Sequence, residues 1–301
     1  SLAAAIDARW DNCPDGFGID TLFSRSTDGG KTWEYTFPNY FNDSVDQYWG
    51  GGKNKGNATA FLDPVMIQGK DGTIYLMTDV YSGGTFILNA STDSGYELID
   101  GVERLAIHYS RDGAAGTYDF YVGDFVKAEG DEKAFAPLIA RGDVEKKAAY
   151  YVDDHYYLYT ADKQPMYCKQ LGTNEQPWSG KYVQQNVFYY NADLHVRRAT
   201  FLWMVTSNDN GKTWSAPTIM NPMVRKRPAT HRFYGVGPGA GLCLDDGTIL
   251  LPCYLHTPER SSFIYKNPGE DTWRRPEDAS TDTASESALV QIDENRVRQF
   301  C

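Results

Sequence analysis

Apolar residues recur along this chain in short runs separated by Asp, Gly, Asn and Ser, the pattern of strands joined by tight turns. Thr21-Leu22-Phe23 and Phe201-Leu202-Trp203-Met204-Val205 are two such runs, and an octamer of one design follows each. The octamers are Ser26-Thr27-Asp28-Gly29-Gly30-Lys31-Thr32-Trp33 and Ser207-Asn208-Asp209-Asn210-Gly211-Lys212-Thr213-Trp214. Their chemistry predicts a hairpin turn. Ser26, Asp28, Ser207 and Asp209 would hydrogen-bond nearby backbone, Gly30 and Gly211 would supply positive φ, and Trp33 and Trp214 would pack under the hairpin. Residues 265–273 read as a third copy that has lost the Ser and the Asp.

A second repeat lies beside the first. Lys70-Asp71-Gly72-Thr73-Ile74 and Asp245-Asp246-Gly247-Thr248-Ile249 are Asp-Gly turns between apolar strands. Residues 1–6 read as the second half of such a hairpin, and residues 290–301 as a further hairpin turning at Asp293-Glu294-Asn295. The sequence is therefore expected to begin and end in mid-blade. Strand pairs spaced in this way suggest a radial repeat of four-stranded sheets, and no long helical period competes. Residues 86–183 break the pattern: Asp, Tyr and Lys dominate, no octamer occurs, and short β runs such as 149–160 remain. The expected organisation is propeller blades over 1–85, an inserted β-rich domain over 86–183, and further blades over 184–301.

Composition narrows the function. Of the 301 residues 41% are hydrophobic and 21 are Tyr, enough for a substantial β core. The net charge of −11 argues against nucleic acid as a partner, and an anionic substrate would need local arginines to overcome the global field. The five cysteines are widely spaced with no Cys-x-x-Cys, so they read as mostly free, buried thiols and not as a zinc or redox site. The five histidines show no ligand spacing, so neither metal nor cofactor is expected. No run approaches the length of a membrane span. Gly235-x-Gly237-x-x-Ala240 mimics a dinucleotide fingerprint, but Pro238 has no N–H for a phosphate and another strand and turn follow, not a helix.

Ser-x-Asp-x-Gly-x-Thr-Trp is the Asp box, and the chain resembles bacterial exo-α-sialidases of glycoside hydrolase family 33 over nearly its whole length. The resemblance implies a six-bladed β-propeller, present in part, with an inserted β-rich domain. It also implies site residues. The segment from Asp7-Ala8-Arg9-Trp10 to Asp20 is similar to the one carrying the acid/base aspartate, at Asp15, with Arg9 near the sugar's 4-hydroxyl. In Ala60-Phe61-Leu62-Asp63-Pro64, Asp63 matches the aspartate that accepts a hydrogen bond from that hydroxyl, and Leu62 would line the N-acetyl pocket. Tyr81 matches an aromatic residue near the sugar, and Tyr254 a tyrosine on the glycerol side; Arg260 stands where a close relative would have Gln. Ala284-Ser285-Glu286-Ser287-Ala288-Leu289-Val290-Gln291 resembles the strand bearing the catalytic glutamate, Glu286, which would take the proton of a nucleophilic tyrosine.

The family's three carboxylate-binding arginines and its tyrosine have no match here. The first arginine belongs to a Phe-Arg-Ile-Pro motif expected before Ser1, the second is expected directly after Cys301, and the rest later. Arg25, Arg197, Arg198 and the cluster from Arg225 to Arg232 read as surface or structural residues. The 301 residues alone are expected not to hydrolyse sialosides. The implied protein is a secreted or cell-surface bacterial enzyme, a monomer, acting on sialylated glycans by a retaining mechanism through a tyrosyl-sialyl intermediate. An intramolecular trans-sialidase releasing anhydro-sialic acid would use the same residues. A non-catalytic Asp-box propeller that binds glycans is the alternative of another class, and Asp15 and Glu286 speak against it.

Overall fold

The computed structural model describes residues 1–9, 15, 18–44, 57–172, 178–225, 231–256, 259–276, 284–294 and 296–301. β1 (Leu2–Arg9) pairs antiparallel with β2 (Ile19–Ser26), from Leu2 opposite Ser26 to Arg9 opposite Ile19. β2 returns through the first Asp box as β3 (Glu34–Asn39). β4 (Ala60–Gln68) lies parallel to β2 and pairs with β5 (Ile74–Tyr81) through the Asp71-Gly72 turn, where Gly72 has φ +88°.

Residues beyond β5 build a second sheet from β6 (Tyr96–Ile99), β7 (Val102–His108), β8 (Phe120–Val122), β9 (Phe135–Ala140), β10 (Ala148–Asp153) and β11 (Leu158–Thr160), mostly by successive antiparallel pairing. β12 (Tyr167–Leu171) and β13 (Trp178–Gln184) form a ribbon, and β14 (His195–Val196) closes back onto β7. β15 (Thr200–Ser207) then returns to the first sheet along the whole of β5, and β16 (Thr218–Ile219) pairs with it. The single turn α1 (Asn221–Val224), with Pro222 in its first turn, is the only α-helix among the described residues.

A third sheet follows. β17 (Phe233–Val236) pairs with the long β20 (Ile249–His256), flanked by β19 (Leu242–Cys243) and β21 (Arg260–Lys266), while β18 (Gly239–Ala240) lies parallel to β4. β22 (Ala288–Asp293) and β23 (Arg296–Phe300) make the expected hairpin. Where the third box copy has Lys266 and Pro268 in place of Ser and Asp, Trp273 is still buried, edge-on to Tyr75. The described strands do not close into a ring.

Every residue of β5 is buried, because both of its faces are covered. Leu76 and Val80 join the apolar layer shared with the second sheet, while Tyr75 and Met77 face Tyr234 and Val236 of the third. A strand buried on two sides reads as a continuous apolar run, and Asp79 interrupts it. The thiols correct one expectation: Cys168 and Cys253 are buried, but Cys243 is half-buried and Cys301 exposed. Cys13 lies outside the described residues. The burial of Cys168 and Cys253 raises both thiol pKa values, Cys168 to about 12, so neither is a ready nucleophile.

Candidate active site

β1, β4, β5, β20 and the segment before β22 bring the candidate residues to one end of the first and third sheets. Asp7 and Arg9 share a face of β1. One guanidinium nitrogen of Arg9 pairs with Asp7 Oδ2 at 2.8 Å and another with Asp15 Oδ1 at 2.6 Å. Arg9 thus draws two acidic residues together, and the Asp15 side chain remains 72% exposed, open to a substrate.

Asp63 sits where β4 bulges between Leu62 and Val65, in the left-handed region at φ +57°, which Asp tolerates better than most residues. Its backbone N–H donates to Asp7 Oδ1 at 3.1 Å. Burial pushes the Asp63 carboxyl pKa up to about 7, and repulsion from Asp7, Glu286 and Asp15 adds to the rise. Arg9 and the Asp63 N–H both bind Asp7, so Asp7, Asp15 and Asp63 share one neighbourhood.

Aromatic rings pack together at this end of the sheets. Tyr81 stacks on Phe233 with centroids 6.2 Å apart and rings 9° from parallel, and Phe233 meets Tyr254 at 4.7 Å. Leu62 is buried in the same small cluster with Ile19 and Ala60. Tyr254 is raised in pKa by burial and then by Asp79, Asp63, Glu286 and Asp15.

Glu286 lies on a bend two residues before β22 and not, as expected, within a strand. The reason is its neighbours. Ser261 Oγ donates to the Ser285 carbonyl at 3.1 Å, and Gln299 Nε2 donates to Ser287 Oγ at 2.7 Å. Between these two anchors the backbone runs so close to Gly237 that a Cβ there would lie 3.2 Å from Ser287 N. The residues put forward from the sequence are thus brought together: Arg9, Asp15, Leu62, Asp63, Tyr81, Tyr254 and Glu286. Asp7 and Asp79 were given no role by sequence reasoning. The signal for Asp79 was a lone carboxylate inside an apolar strand.

The Asp boxes stand apart from this cluster and act as turns. Asp209 Oδ1 accepts from Lys212 N, Thr213 N and Ser207 Oγ, its Oδ2 accepts from Thr213 Oγ1, and Ser207 Oγ accepts from Gly211 N. Asp28 and Ser26 make the same set with Lys31, Thr32 and Gly30. The tryptophans differ. Trp214 packs edge-on to Phe23 at 5.1 Å and donates to Thr36 Oγ1, whereas Trp33 donates to its own Gly30 carbonyl and stays 47% exposed. Packing under the hairpin holds for the second box only. The remaining arginines read as structural have structural partners: Arg25 with Glu34, buried Arg197 with Asp93 and Glu97, Arg198 with Asp112, Arg225 with the Thr200 carbonyl, and Arg232 with the Leu88 carbonyl. Residues 226–230 lie outside the described residues.

Comparison with known proteins gives the chain's relatives. Residues 183–301 match a family described as a BNR repeat-like domain. The anhydrosialidase of Macrobdella decora is 30% identical over 97% of this chain and 39% of its own length. Sialidase B of Streptococcus pneumoniae is 25% identical over 99% of this chain and 43% of its own. Among solved structures, the intramolecular trans-sialidase from Ruminococcus gnavus, in complex with oseltamivir carboxylate, superposes with a TM-score of 0.82 at 30% identity, over 99% of this chain and 62% of that one. The chain spans about two-fifths of the length of these curated relatives. Its two Asp boxes, its propeller-type sheets and its similarity to these proteins over nearly its whole length support a place among the sialidases.

Proposed function

We propose that the protein is a glycoside hydrolase that releases terminal sialic acid from glycans, acting outside the cell or at its surface. One observation carries the reading: Asp15 and Asp63, from separate parts of the chain, are linked through Arg9 and Asp7, and the charge of Glu286, from a third part, acts on Asp63 and Tyr254. A binding module has no use for so many carboxylates, which would repel an anionic sugar unless cations met its carboxylate. In this reading exposed Asp15 donates a proton to the leaving glycosidic oxygen and later activates water. Glu286 takes the proton of a tyrosine, whose oxygen bonds to the anomeric carbon and gives retention. The anomeric carbon of sialic acid bears a carboxylate, so a nucleophile that is neutral until it reacts avoids repulsion. Asp63 accepts a hydrogen bond from a sugar hydroxyl, and Arg9 holds Asp15 in place.

In the full-length protein, Asp15→Ala and Glu286→Ala should each lower kcat on a fluorogenic aryl sialoside, with the Asp15 loss about 10²–10⁴-fold on a natural sialoside, whose leaving group needs the proton. Turnover that survives both substitutions rules out this assignment. A second reading is favoured by two of the relatives above, an anhydrosialidase and an intramolecular trans-sialidase. In that case the sugar's own glycerol hydroxyl, not water, attacks the intermediate. The product, read by NMR, separates the two: anhydro-sialic acid for the second, free sialic acid for the first.

A further inference from the structure

Asp79 has no part in the chemistry above, yet it is the carboxylate most deeply embedded beside it, 1% exposed on β5. Its Oδ1 accepts the Val236 N–H at 3.0 Å, and its Oδ2 has no hydrogen-bond partner. A buried polar oxygen left unpaired costs about 1–3 kcal/mol, so an apolar side chain would suit this layer better. The bond it does make explains its presence. β17 is an edge of the third sheet, and Asp79 supplies the acceptor for an N–H that faces β5.

Two glycines flank that N–H. A Cβ at Gly235 would lie 2.5 Å from both Asp79 carboxyl oxygens, so only a residue without one lets the carboxyl rest on β17. A Cβ at Gly237 would lie 3.2 Å from Ser287 N and 3.5 Å from Glu286 Cα. One glycine admits Asp79, the other admits the backbone of Glu286, and Val236 stands between them. We propose that Asp79 is a positioning residue for Glu286: by anchoring Val236 it fixes Gly237, the surface against which the Glu286-Ser287 backbone rests. The catalytic side of this proposal rests on the role given to Glu286 above. Burial, with the Asp63 charge beyond it, raises the Asp79 carboxyl well above the usual range. The amide of Asn keeps the acceptor oxygen that the Val236 N–H needs.

The test uses the full-length protein with two readouts, amide hydrogen exchange of the segment 284–293 and the steady-state constants on an aryl sialoside. Asp79→Leu should speed exchange in 284–293 and lower kcat by about 10²-fold, the scale of a small misplacement, with little change in KM. Asp79→Asn, which keeps the acceptor oxygen, should restore both. Gly237→Ala presses on Ser287 without touching Asp79, so it should give the Leu signature even if Asp79→Leu fails to fold. Unchanged exchange in the Leu and Ala variants overturns the proposal, and so does a loss in Asp79→Asn as deep as in Asp79→Leu. A wild-type protein that does not turn over sialosides would instead sink the functional reading, while the exchange comparison would still decide what Asp79 does.

Discussion

Asp63 combines three demands in one residue: a left-handed backbone, a half-buried side chain and acidic neighbours on several sides. Its carboxyl pKa of about 7 lies above the value of about 4 expected for an unfolded chain. Between those values the folded state holds a proton that the unfolded chain has released, so stability falls as pH rises through this window and levels off above it. Buried Asp43 adds to the same slope, for burial outweighs its bonds from Thr59 N and Thr59 Oγ1 and leaves its pKa at about 6. Asp63→Asn removes the charge, and Asn accepts positive φ as readily as Asp. The variant should be more stable than the wild type at pH 8, by about 1–3 kcal/mol once solvent screening of a half-buried group is allowed for, and equal to it near pH 4. It should also bind substrate less well, with a raised KM, because an amide is a weaker acceptor than a carboxylate. A melting difference that is the same at both pH values would show that Asp63 carries no desolvated charge.

The two Asp boxes are one turn in two settings. Their hydrogen bonds hold both aspartates below the usual carboxylate range, Asp28 to about 2 with the bonds from Thr32 the largest cause. Their stabilisation is therefore present above about pH 4 and lost as the pH falls toward 2. Packing separates them, since Gly211 lies so close to Phe23 that a Cβ would come within 2.1 Å of its ring, and Trp214 covers that ring. Trp214→Ala should lower stability by about 2–3 kcal/mol, below the usual loss for a fully buried aromatic because Trp214 is half-buried, and Trp33→Ala by less than about 1 kcal/mol. Equal losses in urea melts would contradict the difference in burial. The contrast also marks what the sequence could tell. Turn chemistry closes within eight residues, so Ser26, Asp28, Ser207 and Asp209 were legible as turn-formers. The fate of each tryptophan was not, because Trp214 meets Thr36 from 178 positions away. The site follows the same rule. Asp15 in a turn and Glu286 beside a strand are ordinary residues locally, and only the family register singled them out. Asp79 escaped notice because its partner, Val236, is 157 positions distant.

At the scale of the whole molecule, one aromatic cluster decides how the sheets depend on each other. Phe41, Phe61, Phe201 and Trp203 come from the first sheet and its loops, Tyr156 from the turn between β10 and β11, and Phe188 from the return to β14; all belong to one core. Phe188 is fully buried and meets Phe201 at 5.2 Å, Trp203 at 5.4 Å and Tyr156 at 5.9 Å. Residues 86–183 were expected to form an inserted domain, and we propose that they do so without a core of their own: Leu105, Ile107, Phe120, Leu138 and Val152 share the layer with Phe61, Leu76 and Val80. A layer shared in this way cannot be lost from one side alone, because the exposed apolar surface would destabilise the other. The first two sheets should then unfold in one step. Phe188→Ala should cost about 3–5 kcal/mol and move the whole transition, with far-ultraviolet circular dichroism and tryptophan fluorescence remaining coincident. If the insertion is instead an independent unit, the two probes will separate, and limited proteolysis of the variant will release a folded fragment spanning about residues 86–183.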